Sequence, residues 1–237
     1  MITIKTLCNK YKNLIDNESL VEKFFNKIES QKEQIADIED YLSALTAVVL
    51  LCPKFRIKIK NRDRLYEIGK NLFLDSKSLF VALYMEVLFP IKFKKVLDDR
   101  KKFYTDYFTD IITERTSRVP FEAWEIATSI RILMPKVIKD LKYEEWFNSE
   151  EIFSSGISID GKHFSIYSLS ERIGLTNECR LSEIKVSLDS LEKILDEGEK
   201  FITQELIMKD SIEDIKQGLW LFFDIKRIVI ALPKISV

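Results

Sequence analysis

Apolar residues recur at helical spacing along most of the chain. "TIKTLCNKYKNLI" puts Ile4, Leu7, Cys8, Tyr11, Leu14 and Ile15 on one face of a helix. Ser19 and Glu22 have capping-box spacing before "VEKFFNKI", so a second helix is predicted to start near Leu20. Ile35, Ile38, Leu42, Leu45 and Val49 carry a third helix to Cys52. Helical spacing resumes from Arg64 to Leu74, and Asp75 or Ser76 is expected to cap a helix ending at Phe89. "FKKVLDDRKKFYTDYFTDIITER" reads as a long helix, and Pro120 and Pro135 read as first-turn prolines of two more. Further helical spacing begins at Leu181 and again after Ser211-x-x-Asp214. One segment differs: "GISIDGKHFSIYSL" alternates apolar and polar residues about Asp160-Gly161, a dipeptide suited to a two-residue turn. A small β-hairpin is therefore expected near 155–167.

Four apolar segments end in proline, at Pro53, Pro90, Pro135 and Pro233. Eleven residues before each stand Leu42, Leu79, Trp124 and Phe222. Eight before stand Leu45, Ala82, Ala127 and Ile225, and five before stand Val48, Met85, Ile130 and Ile228. That spacing traces a single helical stripe, which a residue without an N–H then interrupts. In period and proline placement the layout resembles HEAT- or armadillo-type repeats, which stack helical pairs. The fold expected is all-α, either an irregular multi-helix bundle or a short HEAT-like stack, with the hairpin added. Residues 1–148 form a helical N-terminal part and 149–237 the hairpin with the C-terminal helices, packed as one unit. Side-by-side repeats would also bring Glu86 and Arg131, each four residues before a proline, into a buried ion pair.

Composition narrows the class. Hydrophobic residues make up 46% and charged residues 32% of 237, which suits a globular chain with a sizeable core. Six Gly and five Pro fall below the roughly 12% combined share of ordinary proteins, which favours long helices over a many-stranded sheet. Three widely spaced cysteines suggest neither a disulfide framework nor a zinc site, and a reducing, cytoplasmic location is expected. The most apolar run, "WLFFDIKRIVIAL", carries Asp224, Lys226 and Arg227 in its middle, so no transmembrane segment is expected.

Little in the chain points to catalysis. His163 is the sole histidine, and no phosphate-cradling glycine loop or metal-ligand spacing occurs. No enzyme activity, cofactor or metal is expected. A helix-turn-helix reading of "SLSERIGLTNECRLSEI" fails on charge, because its second helix would carry Glu178 and Glu183.

The net charge of -1 conceals a local imbalance. "KFRIKIKNRDR" carries Lys54, Arg56, Lys58, Lys60, Arg62 and Arg64, alternating with Phe55, Ile57 and Ile59. Period two predicts an extended segment with one apolar and one basic face. Lys92, Lys94, Lys95, Arg100, Lys101 and Lys102 add to the same positive region. These twelve side chains form the candidate site for an anion or a partner. The function expected is that of a non-enzymatic interaction or scaffold protein working through a helical surface, with a protein partner. The alternative is a nucleic-acid-binding protein using 54–64 and 92–102. Oligomeric state is not legible.

Overall fold

The computed structural model describes residues 2–31, 37–76, 78–98, 157–159, 162–164, 179–180 and 187–236. They are predominantly helical. In chain order come α1 (Ile4–Ile15), α2 (Glu18–Gln31), α3 (Ile38–Leu51), a 3-10 turn (Pro53–Lys58), α4 (Arg62–Ser76), α5 (Leu79–Leu88) and α6 (Pro90–Asp98). Beyond them lie β1 (Ile157–Ile159), β2 (Lys162–Phe164), β3 (Cys179–Arg180), α7 (Leu188–Lys200) and α8 (Ile212–Ala231). A π turn (Phe201–Glu205) and a 3-10 turn (Leu206–Met208) follow α7; a 3-10 turn (Leu232–Lys234) and β4 (Ile235–Ser236) follow α8.

The centre of the fold is α3. Its sequence, IEDYLSALTAVVLL, is apolar nearly all round after the first turn, so it must be covered on every side. α8 and α5 supply most of the cover, with α2 beside them. α3 and α8 run parallel: Lys216 pairs with Asp40, Trp220 with Ser43, and Lys226 with the carbonyl of Leu51, in matching order along the two helices. The last of these sets a cation on the negative C-terminal end of α3. α1 packs on α8 and on α7, so helices from both ends of the chain enter one core.

Three of the four proline-terminated segments lie among the described residues. Leu42, Leu45, Val48, Ala82, Met85, Phe222, Ile225 and Ile228, the described side chains of the aligned stripe, are all fully buried. Pro53 opens the 3-10 turn after α3, and Pro90 is the first residue of α6. Cys52, forced extended by the proline after it, makes the break at φ -147°, ψ 95°. Ile230, three residues before Pro233 and off that stripe, is exposed on α8. The segment ending at Pro135 lies outside the described residues, as does Arg131, the expected partner of Glu86.

Several expectations need correction. Residues 54–64 are not extended: they form the 3-10 turn, a left-handed reversal at Asn61 (φ 53°) and the first turn of α4. Alternation over six residues was too short a signal against Pro53, whose fixed φ suits the first position of a helical turn. Helix α2 starts at Glu18, because Asn17 Oδ1 rather than the Ser19 side chain accepts the first-turn N–H, that of Leu20, at 2.9 Å. Asp75 and Ser76 belong to α4, and Ser78 caps α5 by accepting from Val81. β1 and β2 pair antiparallel with Ser158 opposite His163, but the Asp160-Gly161 turn expected between them lies outside the described residues. The helices, not this pairing, carry the fold.

Candidate functional site

The 3-10 turn places side chains three apart on one side. Phe55 therefore faces inward against Phe25, at a ring separation of 5.1 Å, and Ile59 is buried as well. Ile57 points away from the core and is 82% exposed. The supposed apolar face of the segment is thus split.

The basic residues divide by what they touch. Lys54 pairs with Glu18 and Lys58 with Glu22, the latter at 3.1 Å, which lashes the turn to α2. The Glu18 carboxylate raises the pKa of Lys54. Both ammonium groups also lie over the Phe55 ring, Lys58 at 4.8 Å. Lys92 pairs with Asp63, whose carboxyl is held below its ordinary pKa by that hydrogen bond. These contacts consume charge that the sequence offered to a partner.

Arg62 is turned inward. One arm of its guanidinium donates to the carbonyl of Arg56 and the other to the carbonyl of Leu88 at 3.1 Å, with the Phe89 ring 5.2 Å away. Burial lowers its pKa, and the neighbouring charge of Arg56 lowers it further. A single side chain thereby ties the 3-10 turn to the junction of α5 and α6. The Tyr66 hydroxyl reinforces the same junction by donating to the carbonyl of Lys92 at 3.1 Å. The basic segments beginning at residues 54 and 92 meet on one surface.

What remains on that surface is a smaller set. Arg64, Lys94 and Lys95 are exposed and have no ion pair among the described residues. Lys60 is exposed too. Arg56 is half-buried, and its Nε is a buried donor without a hydrogen-bond acceptor. On α6, Phe93 is buried while Ile91, Lys94 and Lys95 share the outer face at i, i+3 and i+4. Ile91 is 92% exposed. Arg100, Lys101 and Lys102 lie outside the described residues.

Sequence reasoning missed the two isoleucines. Period two puts Ile57 on the same apolar face as Phe55 and Ile59, whereas the 3-10 turn sends it outward. Ile91 gave one usable signal, an apolar residue between Pro90 and a run of lysines. Among the described residues no His, Cys, Asp and Glu side chains gather as a metal ion would require, and no helix is long and apolar enough to cross a membrane. Compared with known proteins, the chain matches no family model, no curated protein and no solved structure.

Proposed function

We propose that the protein is a non-enzymatic interaction or scaffold protein, and that its working surface is the basic helical face formed by residues 53–64 and 90–95. The observation that carries this reading is the Arg62 clamp. By bonding to the carbonyls of Arg56 and Leu88 it gives two separate basic segments a fixed relative position on one rigid core. Fixed charge on a rigid support is what selective recognition of an anionic surface needs. The nucleic-acid alternative is weaker, since Lys54, Lys58 and Lys92 are engaged by the protein's own carboxylates and Arg62 faces inward. The hairpin over 155–167 and a HEAT-like stacking of helical pairs belong to the same proposal, as the frame that would extend this surface.

The test is affinity capture from the native host with the wild-type chain and with the triple variant R64E/K94E/K95E. The partner recovered is then rebound in purified form. A partner that rebinds the wild-type chain and is lost by the folded variant supports the proposal. A set of bound proteins and membrane lipids unchanged by the reversal of three charges overturns it.

A further inference from the structure

The outward side of the Arg62 clamp carries two isoleucines that almost nothing covers. Ile57 is 82% and Ile91 92% exposed, the two barest large apolar side chains among the described residues. Each follows a proline that starts a helical turn: Pro53 four residues before Ile57, Pro90 immediately before Ile91. The clamp brings them near each other, because Arg62 bonds the carbonyl just before Ile57 and a carbonyl three residues before Ile91. The same two segments and the first turn of α4 carry Arg64, Lys94 and Lys95, exposed and without ion pairs among the described residues, the two lysines on the same face of α6 as Ile91.

Resting on the interaction reading above, we infer that this face docks on an anionic lipid surface, with Ile57 and Ile91 entering the headgroup–acyl boundary and Arg64, Lys94 and Lys95 meeting lipid phosphates. Charge complementarity and shape favour this occupant. Side chains exposed to this degree protrude, and a bilayer boundary accepts protruding apolar points without a matching pocket. The surrounding cations suit the diffuse negative potential of an anionic leaflet. A polynucleotide would satisfy the cations but offer the isoleucines no apolar medium unless its bases were unstacked. A protein partner would need two preformed cavities in register with them.

The experiment is co-sedimentation of the full chain with vesicles of phosphatidylcholine alone and of phosphatidylcholine with phosphatidylserine in a seven-to-three ratio. I57N/I91N and R64E/K94E/K95E are run in parallel, each checked for helix content by circular dichroism. Binding to the anionic vesicles at least about tenfold stronger than to the neutral ones is expected, and a loss of about tenfold or more with either folded variant. Wild-type chain left in the supernatant with anionic vesicles overturns the inference. So does an isoleucine variant that sediments like wild type, or a duplex DNA or single-stranded RNA that displaces vesicles while binding the isoleucine variant unchanged. Should vesicles fail while a purified protein partner still depends on Arg64, Lys94 and Lys95, the lipid inference falls and the interaction reading stands. Loss of both removes both.

Discussion

The indole Nε1 of Trp220 donates a 3.0 Å hydrogen bond to the hydroxyl of Ser43, and both residues are buried where α3 and α8 run side by side. A polar contact in so apolar a seam fixes the axial register of the two helices, because sliding either one would strand a buried donor. Replacing Ser43 by Ala should lower the unfolding free energy by about 1–3 kcal/mol. The same substitution in a Trp220→Phe background should cost much less. Urea denaturation of the four proteins in the cycle checks this, and equal costs in both backgrounds would remove the register role.

Gly218 of α8 meets the side chain of Leu206, and a Cβ built on it would overlap the leucine methyl groups. Gly218→Ala is expected to destabilise by about 1–3 kcal/mol through overpacking. Leu206→Ala alone should cost about 2–5 kcal/mol through the void it leaves. The double variant should be more stable than those two losses added together, since each change relieves the other. Simple additivity in thermal or chemical unfolding would contradict the close approach.

Tyr11 and Tyr41 give the alkaline limb of stability its sign. Burial raises the pKa of both phenols, and the carboxylates that accept from them, Asp196 and Glu29, raise it further. A folded pKa above the unfolded value of about 10 means stability that is complete below that pH and lost as pH climbs past it. The melting temperature should therefore fall above about pH 10, with a shallower decline for Tyr11→Phe. Tyrosinate absorbance measured through the transition should rise with unfolding rather than before it. Ionisation of Tyr11 within the folded state at an ordinary pKa would refute the assignment.

Glu39 supplies a second pH signature of the same sign in a more acidic window. Burial, then the neighbouring charges of Asp37 and Asp40, raises its pKa, although Lys216 opposes them. Its ionised form is therefore disfavoured by folding, and near neutral pH the residue works against the native state. Glu39→Gln should stabilise the protein at pH 7 by less than about 1 kcal/mol, since half-exposed charges are screened by solvent. The gain should vanish below about pH 4, where the carboxyl is protonated in both states. A gain that is the same at both pH values would point to another cause.

Arg62→Ala should cost about 1.5–3 kcal/mol, because a charged donor serving two backbone carbonyls is lost. Arg62→Lys should recover only part of that, as an ammonium lacks the planar fork that reaches Arg56 and Leu88 together. By contrast, Lys54→Ala removes a surface ion pair with Glu18 and should leave the denaturation midpoint close to that of the wild type. Comparable losses for the two positions would erase the distinction between the clamp and its rim.

The parts of the fold legible in the sequence are those written in helical periodicity. Residues eleven, eight and five before a proline mark the buried stripe of α3, α5 and α8, because a helix packed into a core needs apolar side chains on its covered face. The basic segment was misread because "FRIKI" satisfies two periods at once over so short a length. Only the packing of Phe55 on Phe25 separates inward from outward there. The bonds from Arg62 to Leu88 and from Trp220 to Ser43 link residues 26 and 177 apart, and no local pattern announces such pairings. Nor does periodicity tell a covered isoleucine from a bare one, so Ile57 and Ile91 had to be found in three dimensions.

The seating of α3 against α8 bears on how the chain is made. A ribosome exposes residues 38–51 well before it delivers 212–231. Until then this helix, apolar nearly all round, has α5 and α2 for company but lacks its principal neighbour. Closing that gap joins residues as far as 177 positions apart, a topology that slows folding and leaves the nascent chain open to aggregation. Truncated products ending before residue 212 are accordingly expected to be chaperone clients rather than free domains.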